Sequence, residues 1–381
     1  MKSVKSPLIS VQNEIKNLLK KGIIEGVFPA AAAGIFQGLG KEKKVFTSFY
    51  GNAAIYPEKR VLKKNNFFDL ASLTKPLATT MAILCLMKEK KIDIDETLPS
   101  LLEIKIKGKK RKIKAKHLLN HSSGLPAHRE YFKMLKDIPQ KEKSKVVENL
   151  ILQERQEYIP GTASIYSDLG FMLLGLIVEK KSGCGLEYYV EEKVLKPLNL
   201  EKKIFYKPLF QEKSRFDKKD FVATENCPWR KKILSGEVHD DNCYTMGGVG
   251  GHSGLFGNIE GVTAYTAKIL EMWKGVTEHP NIKKEDLEYF LSRQQNISGS
   301  TWGLGFDTPA IKESSSGNFF SRKSIGHLGF TGTSFWLDPD KNVGIVLLTN
   351  RIHPSRENNK IKLFRPYFHD RVMKILFPQS K

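Results

Sequence analysis

Ser72 and Lys75, in the stretch Phe68-Asp69-Leu70-Ala71-Ser72-Leu73-Thr74-Lys75-Pro76, have the types and spacing for covalent chemistry. A serine hydroxyl is a poor nucleophile until a neighbour takes its proton, and an amine in apolar surroundings does so if its pKa falls. The apolar run 77–87 that follows predicts a helix, with a short strand or loop delivering Ser72 to its start. On that helix Lys75 lies one turn beyond Ser72 on the same face, so the two side chains can touch. The helix start adds unpaired N–H groups and a positive dipole end near any oxyanion formed at the serine. By itself the pattern is weak: at average residue frequencies roughly one or two Ser-x-x-Lys are expected by chance in a chain this long. The weight rests on partners elsewhere.

The elements that must position this pair are readable from periodicity. Leu8, Val11, Ile15, Leu18 and Leu19 predict an amphipathic helix over 8–22. Strand-like segments at 31–37 and 45–49, separated by Gly38-Leu39-Gly40-Lys41, predict a hairpin. After the Ser72 helix, His117 to Pro126 reads as a short helix stopped by a Gly/Pro turn. Helices are expected at 144–154, 167–181 (Asp168 close to its N-terminus), 185–195, 259–274 and 283–293. Residues 205–245 read as irregular and end in the glycine-rich run 247–257, whose backbone path side chains would block. Strands follow at 324–329, 333–337 and 343–349, with the turn Asp338-Pro339-Asp340-Lys341-Asn342 between the last two and a helix at 361–376. Strands at both ends with helices between them predict one antiparallel sheet built from the two termini and interrupted by a helical insert.

Composition bounds the class. The 381 residues suffice for a packed core, and 40% hydrophobic with 27% charged is ordinary for a globular chain. The apolar runs 76–87 and 169–178 fall short of the roughly 18 residues of a membrane span. The first twenty-five residues mix charge throughout, which is not a signal-peptide pattern. Cys85, Cys184, Cys227 and Cys243 are widely spaced, so reduced thiols in a cytoplasmic protein are expected. The net charge of +21 comes from scattered lysine with one dense run, Lys105 to Lys116. Such a run could meet phosphate or anionic lipid. Without interleaved aromatics to stack bases it reads as a solvated hairpin or loop, and no nucleic-acid partner is expected. His239, Asp240 and His252 match no compact metal spacing, and neither a metal nor a cofactor is expected.

Ser72-x-x-Lys75, then Tyr166-Ser167-Asp168, then His327-Leu328-Gly329 resemble, in order and spacing, the three motifs of the serine β-lactamase and penicillin-binding protein superfamily. The resemblance spans nearly the whole chain and is closest to the class C-related esterase and D-aminopeptidase branch. Tyr50-Gly51-Asn52 also fits the second motif but precedes the serine on a strand end. His252-Ser253-Gly254 also fits the third but lies in a glycine loop with a helix following, where a strand edge is needed.

The resemblance implies an α/β (α+β) fold in which an antiparallel sheet from both chain ends is flanked by helices. It implies a single unit over 8–378, with a discontinuous sheet part, 8–71 and 294–378, and a mainly helical part, 72–293. Ser72 would attack a carbonyl to form an acyl-enzyme, with Lys75 and Tyr166 sharing the proton work. The backbone N–H groups of Ser72 and of Phe330, which follows Gly329, would form the oxyanion hole. Asp168 and His327 would meet the substrate, a small ester or amide; oligomeric state is not implied.

Two departures bear on substrate. Asp168 stands where the family usually has Asn, and its anion should keep Lys75 protonated, so that Tyr166, its pKa lowered by Lys75, becomes the base. His327 stands where penicillin-recognising members carry Lys, and a mostly neutral imidazole grips a carboxylate weakly. Ester or small-amide hydrolysis with feeble β-lactam turnover is therefore expected. The alternatives are a silent penicillin-binding-like sensor and a true β-lactamase or DD-peptidase.

Overall fold

The computed structural model describes residues 7–210, 215–294 and 297–378. In chain order its strands are β1 (Ala30–Gln37), β2 (Lys44–Ala54), β3 (Arg60–Val61), β4 (Phe68–Asp69), β5 (Ile204–Tyr206), β6 (Asn226–Cys227), β7 (Lys232–Ile233), β8 (Leu255–Gly257), β9 (Ile325–Leu328), β10 (Ser334–Asp338) and β11 (Val343–Thr349). The expected sheet from both chain ends is present. It has six strands in the order β3-β2-β1-β11-β10-β9, each pair antiparallel.

Alternation along β1 and β11 explains why both read as continuous apolar runs. Ala31, Ala33 and Ile35 share a core with Val343, Ile345 and Leu347 under the terminal helices Pro7–Ile24 and Ile361–Leu376. The intervening Ala30, Ala32 and Phe36, with Val346 and Leu348, face the helical body. Successive side chains point to opposite faces, and with both faces covered no position is left for a polar residue. The N-terminal helix packs through Ile15, Leu18 and Leu19, while the side chain of Leu8 lies outside the described residues.

The helical body is built on two nearly all-buried segments. Residues 73–86 are buried almost throughout, as are Leu169 to Val178 of the helix Asp168–Ser182. A helix that is apolar all round belongs in the interior. The glycine-rich run passes against the second of these. A Cβ at Gly251 would stand 2.1 Å from the Phe171 carbonyl oxygen, so the loop reaches the helix backbone only with glycine there.

Several expectations shift. The segment after Ser72 is not a regular α-helix from its start: a 3-10 turn at Ala71–Leu73 leads into π-helical Lys75–Thr80 and then α-helical Met81–Lys88. Residues 205–245, expected to be irregular, hold β6 and β7 and the short helix Asp241–Thr245; residues 211–214 lie outside the described set. A second sheet, β4-β8-β5, ties the Ser72 segment to the end of the glycine run. His252 is therefore followed by strand β8 before the helix Ile259–Trp273.

The Lys105–Lys116 run forms a 3-10 turn at Lys109–Lys112 and part of the helix Ala115–Leu119, where Lys114 and Lys116 both pair with Asp95 at 2.8 and 2.7 Å. The four cysteines are free thiols. No helix among the described residues is long and apolar enough to cross a membrane.

Candidate active site

Ser72 is held by a turn that the sequence alone does not reveal. Leu70 N–H donates to the Leu255 carbonyl at 3.0 Å, extending the β4–β8 pairing to the residue before the turn. The buried Asp69 carboxylate accepts from Ala71 N–H at 2.8 Å and His239 N–H at 2.7 Å. These bonds hold Ala71 at φ +47°, a left-handed conformation that costs a non-glycine residue energy. The strain sits directly before Ser72.

The loop after β9 is pinned against the same turn. Thr331 Oγ1 donates to the Asp69 carbonyl at 2.8 Å and Thr333 Oγ1 to the Leu70 carbonyl at 3.3 Å. A Cβ at Gly329 would lie 2.0 Å from Thr333 Oγ1 and 2.8 Å from the Leu70 oxygen, so this approach requires glycine. From the C-terminal helix, the buried Arg365 donates to the carbonyls of Gly329, Gly332 and Thr333 at 2.7, 3.2 and 3.0 Å. Arg351 Nε holds the Phe330 carbonyl at 2.8 Å, and its guanidinium lies over the Phe330 ring. The Phe330 N–H makes no hydrogen bond among the described residues.

Lys75, fully buried, lies at the centre of the cluster. Its Nζ is 2.9 Å from Ser72 Oγ, 2.7 Å from Asp168 Oδ1 and 3.1 Å from the His252 carbonyl oxygen. It also lies over the rings of Tyr166, at 4.8 Å, and Phe171, at 5.8 Å. Asp168 opens its helix: Ser167 Oγ caps it by accepting from Gly170 N–H and donates to the Pro126 carbonyl, and Asp168 N–H donates to the Ala127 carbonyl.

The charge state follows from these contacts. Burial opposes a charge on Lys75, but Asp168 and Tyr166 outweigh it and hold the ammonium above its ordinary pKa. Burial likewise opposes the Asp168 anion, and Lys75, His128 and His252 outweigh it, holding the carboxyl well below the usual range. Lys75 is thus protonated, as expected from Asp168. The expectation for Tyr166 is overturned. Burial raises its phenol and Asp168 adds to that, outweighing Lys75 and Ser72, which favour the phenolate. Burial is the largest cause, and Asp168, 2.7 Å from the ammonium, offsets only part of the lowering that Lys75 supplies.

His327 stands on β9, 6.1 Å ring to ring from Tyr166 and 5.5 Å from Trp302. Burial first and Lys75 second push its pKa down to about 3, so it is neutral throughout the physiological range. The competing motif matches fall apart. Tyr50 lies on β2 and is exposed, whereas His252 contributes its carbonyl to Lys75 and its Nε2 to Asp240, 2.9 Å away. His239 Nε2 is engaged with Glu225 at 3.0 Å, and no metal-holding group of three or more His, Cys, Asp or Glu exists among the described residues.

Three residues at the site were not anticipated. His128 Nδ1 lies 3.4 Å from Asp168 Oδ2 at the exposed edge. His121 accepts the Ser167 N–H on Nδ1 at 3.1 Å and packs against Tyr166 and Trp302. For His121 the only signal was its place in the stretch 117–126; for His128 and Trp302 there was none.

A family model described as Beta-lactamase matches residues 15–365. An N-acetylmuramyl-L-alanine amidase of Bacillus subtilis is 33% identical over 367 residues, covering 89% of this chain and 81% of that protein. A putative D-alanyl-D-alanine carboxypeptidase of Salmonella agona is 31% identical over 336 residues, covering 82% and 76%. Among solved structures, the octameric penicillin-binding protein homologue from Pyrococcus abyssi superposes with a TM-score of 0.71 at 20% identity, covering 97% of this chain and 78% of that one, a likeness of fold.

Proposed function

The chain belongs to the beta-lactamase family of serine hydrolases, and from that premise we propose that it cleaves a carboxylic ester or a small amide or peptide-like bond through an acyl-enzyme on Ser72. The observation that carries the reading is the 2.9 Å contact of Ser72 Oγ with Lys75 Nζ, in a cluster completed by Asp168 and Tyr166.

Ser72 Oγ attacks the carbonyl carbon while its proton passes to the phenolate form of Tyr166. Tyr166 returns that proton to the leaving group, and a water activated in the same way releases the acyl group. Lys75, fixed by Asp168, keeps a positive charge beside Oγ as the alkoxide develops. The backbone N–H groups of Ser72 and Phe330 receive the oxyanion, each worth about 3 kcal/mol in the transition state. Because Tyr166 is held neutral, the phenolate is a minority species at pH 7 and turnover climbs with pH. The parts come from segments spread between Ser72 and Phe330, which supports residues 8–378 acting as one catalytic unit.

Within the amide class, the relatives' names make N-acetylmuramyl-L-alanine and D-alanyl-D-alanine peptides the first substrates to try. A neutral His327 offers no cation to a carboxylate, which argues for feeble β-lactam turnover. The absence of a ready base beside Ser72 in the resting charge state favours, as a second reading, a penicillin-binding-like sensor that acylates slowly.

A panel of p-nitrophenyl esters, D-amino acid amides, the two peptidoglycan-type substrates and nitrocefin, run on wild type and Ser72→Ala, tests this. Ester or amide turnover that drops about 10³-fold or more in Ser72→Ala is expected. Nitrocefin hydrolysis as fast as ester hydrolysis overturns the substrate preference, and turnover surviving in Ser72→Ala overturns the mechanism.

A further inference from the structure

Arg365 occupies a helix face that otherwise carries apolar residues. Ile361, Phe364, Phe368 and Val372 repeat at helical spacing along Ile361–Leu376 and pack into the core beneath the sheet. Arg365 falls on the same face and is 6% exposed. Burial opposes its charge, the Arg351 cation adds to that, and no carboxylate offsets them among the described residues. A buried cation without a counter-ion is costly, so what it holds in exchange matters.

Every hydrogen bond it makes among the described residues goes to the loop after β9. Nη2 donates to the carbonyls of Gly329 and Thr333 at 2.7 and 3.0 Å, and Nε to that of Gly332 at 3.2 Å. The turn closes on itself as well: Gly332 N–H donates to the Gly329 carbonyl at 3.0 Å and Gly329 N–H to the Thr333 carbonyl at 2.8 Å. Gly332 permits this path, with φ +96° and room for no Cβ, which would stand 2.0 Å from Thr349 Oγ1. Three carbonyls thus converge on one guanidinium.

The first of them shares a peptide with the Phe330 N–H. That peptide is trans, so its C=O and N–H point in opposite directions. A guanidinium on the Gly329 oxygen therefore turns the Phe330 N–H to the far side of the plane, and the positive charge draws electron density through the amide and strengthens the N–H as a donor. The loop itself is pinned by Thr331 and Thr333 to the carbonyls of Asp69 and Leu70, just before Ser72.

We propose that Arg365 is a positioning residue for the hydrolysis, which acts through the Gly329–Phe330 peptide to aim the Phe330 N–H and strengthen it as a donor to the oxyanion. The proposal rests on the acyl-enzyme reading and names the source of one donor's strength, supplied from the C-terminal helix. A purely structural pin needs donors but no charge. That difference can be measured.

Arg365→Gln keeps a donor and removes the charge, whereas Arg365→Lys keeps the charge. With p-nitrophenyl acetate, folded Arg365→Gln should lose about tenfold or more in kcat, part of what a whole oxyanion donor supplies, with KM within about twofold. Arg365→Lys should recover severalfold of that loss. A spectroscopic readout in the wild type stands whether or not the variants fold. Gly-Phe occurs at 170–171, 305–306 and 329–330, so carbonyl-13C glycine combined with 15N phenylalanine gives three amide signals, and the one absent from Phe330→Tyr is that of Phe330. When Ser72 Oγ displaces fluoride from the phosphorus of a fluorophosphonate, the phosphoryl oxygen stands where the oxyanion would. The Phe330 amide proton should then move downfield in the wild type, and by less in Arg365→Gln than in Arg365→Lys. A Phe330 signal that stays in place on phosphonylation overturns the proposal. So does a folded Arg365→Gln whose kcat is within about twofold of wild type, a loss carried by KM, or an Arg365→Lys no faster than Arg365→Gln. A wild type that neither hydrolyses the ester nor takes the phosphonate sinks the hydrolase reading, and the proposal with it.

Discussion

Glu225 and Asp168 are both largely buried carboxylates held against cations, yet what surrounds them differs in what is left over. Arg356 donates twice to Glu225, with Nε at 2.7 Å from Oε1, and His239 Nε2 stands 3.0 Å away. Arg356 also reaches Asp241, which takes Arg230 at 2.7 Å and the Trp229 indole N–H at 2.8 Å. There nearly every charge meets an opposite one inside the cluster. Around Asp168 the close ion pair with Lys75 is surrounded by a serine hydroxyl, a phenol and the imidazole nitrogens His121 Nε2, His252 Nδ1 and His327 Nε2, which bond nothing among the described residues. The first network, where Arg230 Nε is the buried atom left without a partner among the described residues, holds segments together; one with several open ends is prepared for a ligand.

The largest effect that separates the two clusters is expected from Lys75→Met. Hydrolysis should fall by about 10³-fold or more, and the stranded Asp168 anion should cost about 3–5 kcal/mol of stability, read by kinetics and denaturant unfolding. Adding Asp168→Leu should recover most of the stability and none of the activity. Stability unchanged in Lys75→Met would mean the ion pair is not what organises the site.

Glu225→Gln should do the converse, costing about 2 kcal/mol while kcat/KM stays within about threefold. The pKa shift gives a second readout. Burial opposes the Glu225 anion, but His239 and Arg356 outweigh it and hold the carboxyl down to about 2, below the usual 4.5. Its stabilisation is therefore fully present above pH 4.5 and lost as pH falls toward 2. Glu225→Gln should flatten acid unfolding across that window. A variant that loses activity but not stability would break the contrast between the clusters.

Asp168→Asn is expected to raise the rate modestly where Lys75→Met abolishes it, and to leave the most specific signature. The Asp168 anion raises the pKa of both Lys75 and Tyr166, so removing it lowers both. The rise of kcat/KM with pH should then begin at lower pH, with a severalfold gain near neutrality. A pH profile that does not move would remove Tyr166 as the base.

How far the chain announced this arrangement depends on element length. β1, β2, β9, β10 and β11 were legible because each carries several apolar residues bounded by turns such as Gly38-Leu39-Gly40 and Asp338-Pro339-Asp340. The β4-β8-β5 sheet was not, since strands of two or three residues are too short to show a period. Lys75 beside Ser72 could be read from spacing, but the 3-10 and π-helical turns that carry them depend on tertiary bonds from Asp69 to His239 and from Thr331 to Asp69. The tyrosine pKa was misjudged for a similar reason: sequence shows Lys75 and Asp168, whereas the burial that raises the phenol most is a property of the packed site.

Intact-mass analysis after treatment with a fluorophosphonate shows whether Ser72 forms the covalent intermediate. One adduct per chain is expected, mapped to the Ser72 peptide, forming faster as pH rises and absent from folded Ser72→Ala. An unlabelled wild type that remains folded, or an adduct on any other residue, would contradict it.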